Sequence, residues 1–127
     1  MPTRFLEDGA TPVVQFDPQL EVSPFAVFRA LREGRGPLLV DVRPEPGALT
    51  LAGALLYPGP DWTPPADADV VLFDDDGAIA IEGARHMQAA GYPKVKALFG
   101  GLDLWEFSLD PEVVGADTYL VRLAPHG

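Results

Sequence analysis

Val70-Val71-Leu72-Phe73-Asp74-Asp75-Asp76-Gly77 is the stretch on which the fold turns. Four apolar residues in a row, two of them β-branched, stop abruptly at three carboxylates and a glycine. A run this short and this sharply ended reads as a strand buried on both faces. Helical spacing follows. Ile81, Ala84 and Met87 share one side of a segment from about Ile79 to Ala90, and Gly91 ends it. Asp75 or Asp76 would cap the first turn. The unit is therefore strand, acidic turn, helix.

The same alternation extends to both sides. Upstream, Ser23-Pro24 places a capping hydroxyl and a first-turn proline ahead of an apolar stripe, Phe25, Val27, Phe28 and Leu31. Gly34 and Gly36 stop that helix. Leu38 to Arg43 reads as a buried strand, and Leu55-Leu56-Tyr57 as a short one. Residues 58–69 are rich in proline and aspartate and read as a surface loop. Downstream, Val95 to Leu98 is a strand candidate. Gly100-Gly101 then opens a short amphipathic helix with Leu102, Leu104, Trp105 and Leu109.

Strands alternating with helices predict an α/β domain of three layers, α/β/α, with a mainly parallel central sheet. Ligands of such sheets lie beyond the carboxyl ends of the strands. Here that edge holds Arg43-Pro44 and the turn Asp74 to Ala80. The domain is expected over residues 23–110. Residues 1–22 form an N-terminal extension with a short strand, Val13 to Phe16. Residues 111–127 form a C-terminal extension with a strand at Thr118 to Leu123, in which Tyr119, Val121 and Leu123 alternate to one face. That strand would pair with Val13–Phe16 or with a second copy, so monomer and homodimer are both open.

Composition narrows the function. The chain has 127 residues, 19 acidic and 9 basic side chains, and a net charge of −10. Nucleic acids and anionic membranes are not expected partners. The cysteine count is zero, which excludes disulfides, thiolate metal sites and thiol nucleophiles. The two histidines, His86 and His126, are too few for a histidine metal site. The chain shows neither a long apolar span nor the apolar core of a signal peptide, and a cytoplasmic location is expected. No cofactor or metal is expected.

Several short motifs line up with one family. Leu39-Val40-Asp41-Val42-Arg43, Gly53-Ala54 with Leu55 to Pro58, Ala89-Ala90-Gly91-Tyr92-Pro93-Lys94-Val95 and Leu98-Phe99-Gly100-Gly101-Leu102-Asp103-Leu104-Trp105 keep a fixed order over about residues 23–109. This pattern resembles the rhodanese-like, sulfur-transferring domains. The resemblance implies a persulfide-forming cysteine in a loop of the form CxxGxR[ST] after the central strand, where backbone N–H groups form a nest around the anionic sulfur. In this chain the cysteine position falls on Asp74, followed by Asp75, Asp76, Gly77, Ala78, Ile79 and Ala80. Gly77 keeps its place, but Ile79 and Ala80 stand at the Arg and Ser/Thr positions. Leu49-Thr50-Leu51-Ala52 stands where the family has Gly-His-Ile-Pro.

The resemblance thus implies an inactive member, without sulfurtransferase activity, that serves as a binding or regulatory module for a protein partner. A carboxylate forms no stable persulfide. Adjacent carboxylates also repel an incoming anion: two like charges about 4 Å apart cost about 1 kcal/mol in water and about 4 at an effective dielectric near 20. Thiosulfate and phosphate would be disfavoured at this turn. Arg43 would support the loop by pairing with Asp41, Glu45 or a loop aspartate. Trp62, among prolines, is either an exposed partner contact or a cap on the core. Trp105 is expected in the core, and His86 at or near the surface.

One alternative is an enzyme. Leu72-Phe73-Asp74-Asp75-Asp76-Gly77 also resembles the hhhhDxDG motif of haloacid dehalogenase-like phosphatases. That resemblance implies a divalent-metal-dependent hydrolase with Asp74 as nucleophile and Asp76 as acid. The family's threonine after the glycine is Ala78 here.

Overall fold

A computed structural model describes residues 15–123. Strand β1 is Glu21–Val22, helix α1 Pro24–Arg32, β2 Leu38–Asp41, β3 Leu49–Leu51, β4 Leu55–Leu56 and β5 Val70–Phe73. Helix α2 is Ala78–Ala89, β6 Val95–Leu98, α3 Gly101–Ser108, α4 Pro111–Val114 and β7 Leu120–Arg122. Five strands form one sheet in the order β1-β6-β5-β2-β4, and every neighbouring pair is parallel.

The alternation of side chains across the strands separates two cores. Leu39, Val71, Phe73 and Leu98 point to the face covered by α1 and α3, where Val27, Phe28, Leu102, Trp105 and Leu109 complete a buried cluster. Val40, Val70, Leu72, Val95 and Ala97 point to the other face and meet Ala80 and Ala84 of α2. The result is the three-layer α/β/α arrangement with a mainly parallel sheet.

Local chemistry sets the helix ends. The Ser23 hydroxyl accepts from the Ala26 N–H at 3.1 Å, and Pro24 occupies the first helical position, where no amide hydrogen is needed. On α2 the residues against the sheet are Ala80 and Ala84. Ile81 and Met87, expected on that face, flank it half-buried. Small side chains on the contact line let the helix lie close to the strands.

The ends of the chain differ from expectation. Gln15 and Phe16 are not strand, and Val13 and Val14 lie outside the described residues. The edge strand beside β6 is instead Glu21–Val22. The C-terminal strand, expected beside Val13–Phe16 or a second copy, pairs antiparallel with β3, Thr50 opposite Val121. Its alternation is also shifted. Tyr119 has φ +63 and is not part of the strand, so Leu120 packs against the core beside Tyr119 while Val121 faces out. A left-handed residue at the strand entry breaks the two-residue period assumed from sequence. Segment 111–123 closes over the α1/α3 face, where the Trp105 indole N–H donates to the Thr118 carbonyl at 2.9 Å.

Candidate functional site

β2 and β5 run side by side with Asp41 opposite Phe73, so the residues just beyond both strands emerge together. Parallel pairing thus brings Arg43 to the acidic turn, 32 positions away in sequence. The Arg43 guanidinium grips Asp41 through two bonds, Nε to Oδ1 at 3.0 Å and Nη2 to Oδ2 at 2.8 Å. It also donates to Asp75 Oδ1 at 3.1 Å and to the Leu49 carbonyl at 2.7 Å. Thr50 Oγ1 donates to Asp41 Oδ2 at 3.3 Å. Both members of the Asp41–Arg43 pair are buried. The bonds and charge of Asp41 hold the Arg43 pKa above its ordinary value against the opposing effect of burial, and Asp75 adds to this. Glu45, also considered as a partner, makes no such contact among the described residues.

The three aspartates separate into three directions. Asp74 is 2% exposed and folds back under its own turn. Its Oδ1 accepts the Gly77 N–H at 2.7 Å and its Oδ2 accepts the Ile79 N–H at 2.8 Å. Asp75 points outward to Arg43. Asp76 Oδ1 accepts the Ala78 N–H at 3.0 Å. The capping role assigned to Asp75 or Asp76 therefore falls mainly to Asp74, with Asp76 assisting. Gly77, at φ +96, makes this possible: its left-handed turn swings the first amides of α2 back toward a residue three positions upstream.

A second helix end reaches the same turn. The amides of Leu102 and Asp103, in the first turn of α3, donate to the carbonyls of Asp74 and Asp75, each at 2.9 Å. Gly101, at φ +62, makes that approach: a Cβ there would lie 2.5 Å from the Asp74 carbonyl oxygen. Sequence reasoning did not place α3 here, although the double glycine was its signal. It also missed the Leu49 carbonyl as a partner of Arg43 and the Thr50 hydroxyl as a partner of Asp41.

Burial pushes the Asp74 carboxyl above the usual aspartate range, and the charge of Asp76 works in the same direction. The N–H groups of Ile79 and Gly77 pull it back. Outside the turn lies a shallow cleft of about 400 Å³, lined by Arg43, Pro44, Glu45, the three aspartates, Ala78 and Ile79. Of the loop residues singled out in sequence, Ala78 and Ile79 are exposed, whereas Ala80 is fully buried under the sheet. Within the turn the Gly77 and Ile79 N–H groups are bonded to Asp74 and the Ala78 N–H to Asp76. Among the described residues no three His, Cys, Asp or Glu side chains are grouped so as to hold a metal ion.

The remaining candidates lie elsewhere. Trp62 is half-buried, packs against the α2-side core and stacks edge-on with Tyr57, centroids 6.1 Å apart. Of its two readings, this geometry fits the cap on the core. Trp105 is fully buried, and His86 is exposed on α2. Among the described residues no helix is long and apolar enough to cross a membrane. In comparisons with known proteins, no family model matches the chain and no curated protein matches it.

Proposed function

We propose that this chain is a rhodanese-like domain that has lost sulfur transfer and works as a binding or regulatory module for a protein partner. One observation carries the reading. Both carboxylate oxygens of Asp74, the residue that the resemblance aligns with the sulfur-carrying cysteine, are bonded to loop amides. The chain brings its own anion. With no cysteine in the sequence, no thiol is present to accept sulfur.

What such a site offers is a rigid surface. Arg43 fixes Asp75 from one side and the α3 amides fix the turn from the other, so the exposed carboxylates of Asp75, Asp76 and Glu45 are presented from a braced loop. Their charge suits a basic group on a partner protein. The phosphatase-like alternative gains nothing from this geometry. Asp74 would have to release two amide hydrogen bonds and leave a buried position before it could attack phosphorus.

Melting temperatures measured with Mg²⁺, Ca²⁺, thiosulfate and phosphate test the reading, because a ligand that prefers the folded chain raises stability by about 2.7 kcal/mol at 100 times its dissociation constant. The module reading expects no rise with any of the four. A rise with Mg²⁺, together with metal-dependent hydrolysis of p-nitrophenyl phosphate lost in Asp74→Asn, would establish the hydrolase instead. A rise with thiosulfate would show that the nest is open.

A further inference from the structure

The opposite end of the sheet carries a second feature that the acidic turn does not use. At the amino ends of β5 and β6 lies a pocket of about 330 Å³ between α1 and the sheet. Ala26, Val27 and Ala30 of α1 and Val22 and Val71 of the strands supply apolar lining. Lys94, Lys96 and Arg35 also line it, and Lys94 and Lys96 are the only lysines in a chain of net charge −10.

Lys96 is out of place for a parallel strand. Val95 and Ala97 point to the α2 core and Leu98 to the α1 core, so Lys96 points to the α1 side. Strands covered on both faces are normally apolar throughout. Here a lysine with a half-buried side chain lines an aliphatic pocket, and its ammonium donates to the exposed Pro18 and Gln19 carbonyls at 3.0 and 2.8 Å. Lys94 donates to the Asp67 carbonyl at 3.2 Å. Among the described residues neither lysine forms an ion pair. Arg35 is paired with Glu33 at the exposed surface, and Asp69 is the carboxylate that shares the pocket lining.

From this combination we infer that the pocket binds a small amphipathic carboxylate, an acyl chain of medium length, with the chain against α1 and the carboxylate between Lys94 and Lys96. The apolar lining calls for an aliphatic body. The two lysines without counter-ions call for one negative charge. The volume is at the small end for ligand pockets, which run from about 300 to 1,000 Å³, so it fits a single chain better than a nucleotide-sized cofactor.

Titration of the full chain with octanoate, 1-octanol and acetate, followed by backbone amide NMR, is the test. Octanoate is expected to give saturable shifts at Val22, Ala26, Val27, Ala30 and Val71, with 1-octanol and acetate each at least about tenfold weaker, the equivalent of losing one charged hydrogen bond or the apolar contact. Lys96→Met should weaken octanoate by about tenfold, and Asp69→Asn should tighten it. Ala26→Leu, at an exposed helical position of the lining, should block the pocket without disturbing the fold, and so keeps the test decisive if Lys96→Met is poorly folded. The inference is overturned if octanoate gives no saturable shift up to about 10 mM. It is also overturned if 1-octanol binds as tightly as octanoate, or if Ala26→Leu leaves octanoate binding unchanged.

Discussion

Replacing Asp74 by alanine removes one side chain and leaves two backbone donors, on Gly77 and Ile79, without their acceptor. An unsatisfied buried donor costs about 1–3 kcal/mol. The Ile79 amide borders the open cleft and can be rehydrated, so it falls at the low end of that range. Release of the buried charge returns part of the loss. The net expectation is a destabilisation of about 2–3 kcal/mol, above the roughly 1 kcal/mol typical of an exposed helix cap. For a domain of this length that corresponds to a fall in Tm of about 8–12 °C. Asp76→Ala, which loses one exposed bond to Ala78, should cost less than about 1 kcal/mol and serves as the control. The vacated nest should then accept a small carboxylate from solution. Formate at ten times its dissociation constant would restore about 1.4 kcal/mol to Asp74→Ala and nothing to the natural chain. Thermal and urea unfolding with and without formate measure both effects. An Asp74→Ala variant as stable as the natural chain, with no response to formate, would refute the reasoning.

Other perturbations probe the supports of the turn. Arg43→Met leaves the Asp41 carboxylate buried without its partner, and urea unfolding should show a loss of about 3–5 kcal/mol. Gly101→Ala would push a Cβ to 2.5 Å from the Asp74 carbonyl oxygen, so calorimetry should show a loss of about 3 kcal/mol or more. Gly53→Ala, also at positive φ but with open space around it, should cost only about 1–2 kcal/mol. Because the folded Asp74 pKa lies above its unfolded value near 3.9, the folded state holds the extra proton between those two values. The contribution of Asp74 to stability is therefore full below about pH 4 and declines as pH rises through the raised pKa. The stability of the natural chain minus that of Asp74→Asn should fall across that window, and a rising difference would contradict the assignment.

The alternation of strands and helices was legible because each unit carried its own punctuation. Ser23-Pro24, the acidic stop after Phe73 and Gly91 mark ends that depend only on neighbouring residues. β3 and β7 were harder. Leu49–Leu51 is three residues long, and its partner lies about 70 residues away. Nothing local reports such a pairing, and the positive φ at Tyr119 moved the inward position from Val121 to Leu120. The site followed the same division. Position 74 stood out in the sequence, but its role did not. Capping rules look to the residue just before a helix, whereas Gly77 bends the chain so that Asp74 reaches the first amides from further back. Arg43 was expected to pair with an acid; Asp41, two residues back at the end of β2, is one partner, and the parallel register of β2 and β5 brings Asp75 as the other. The second hold on the turn, from the α3 amides, depends on a close approach that only the glycine at 101 betrays.

The central claim is that the nest at the acidic turn is filled by Asp74. Following the Gly77 and Ile79 amide resonances of the natural chain during a thiosulfate titration tests it most directly. A filled nest predicts that neither resonance shifts in a saturable way, while both shift in Asp74→Ala. Saturable shifts at these two amides in the natural chain would show that the site still accepts an external anion and would contradict the account.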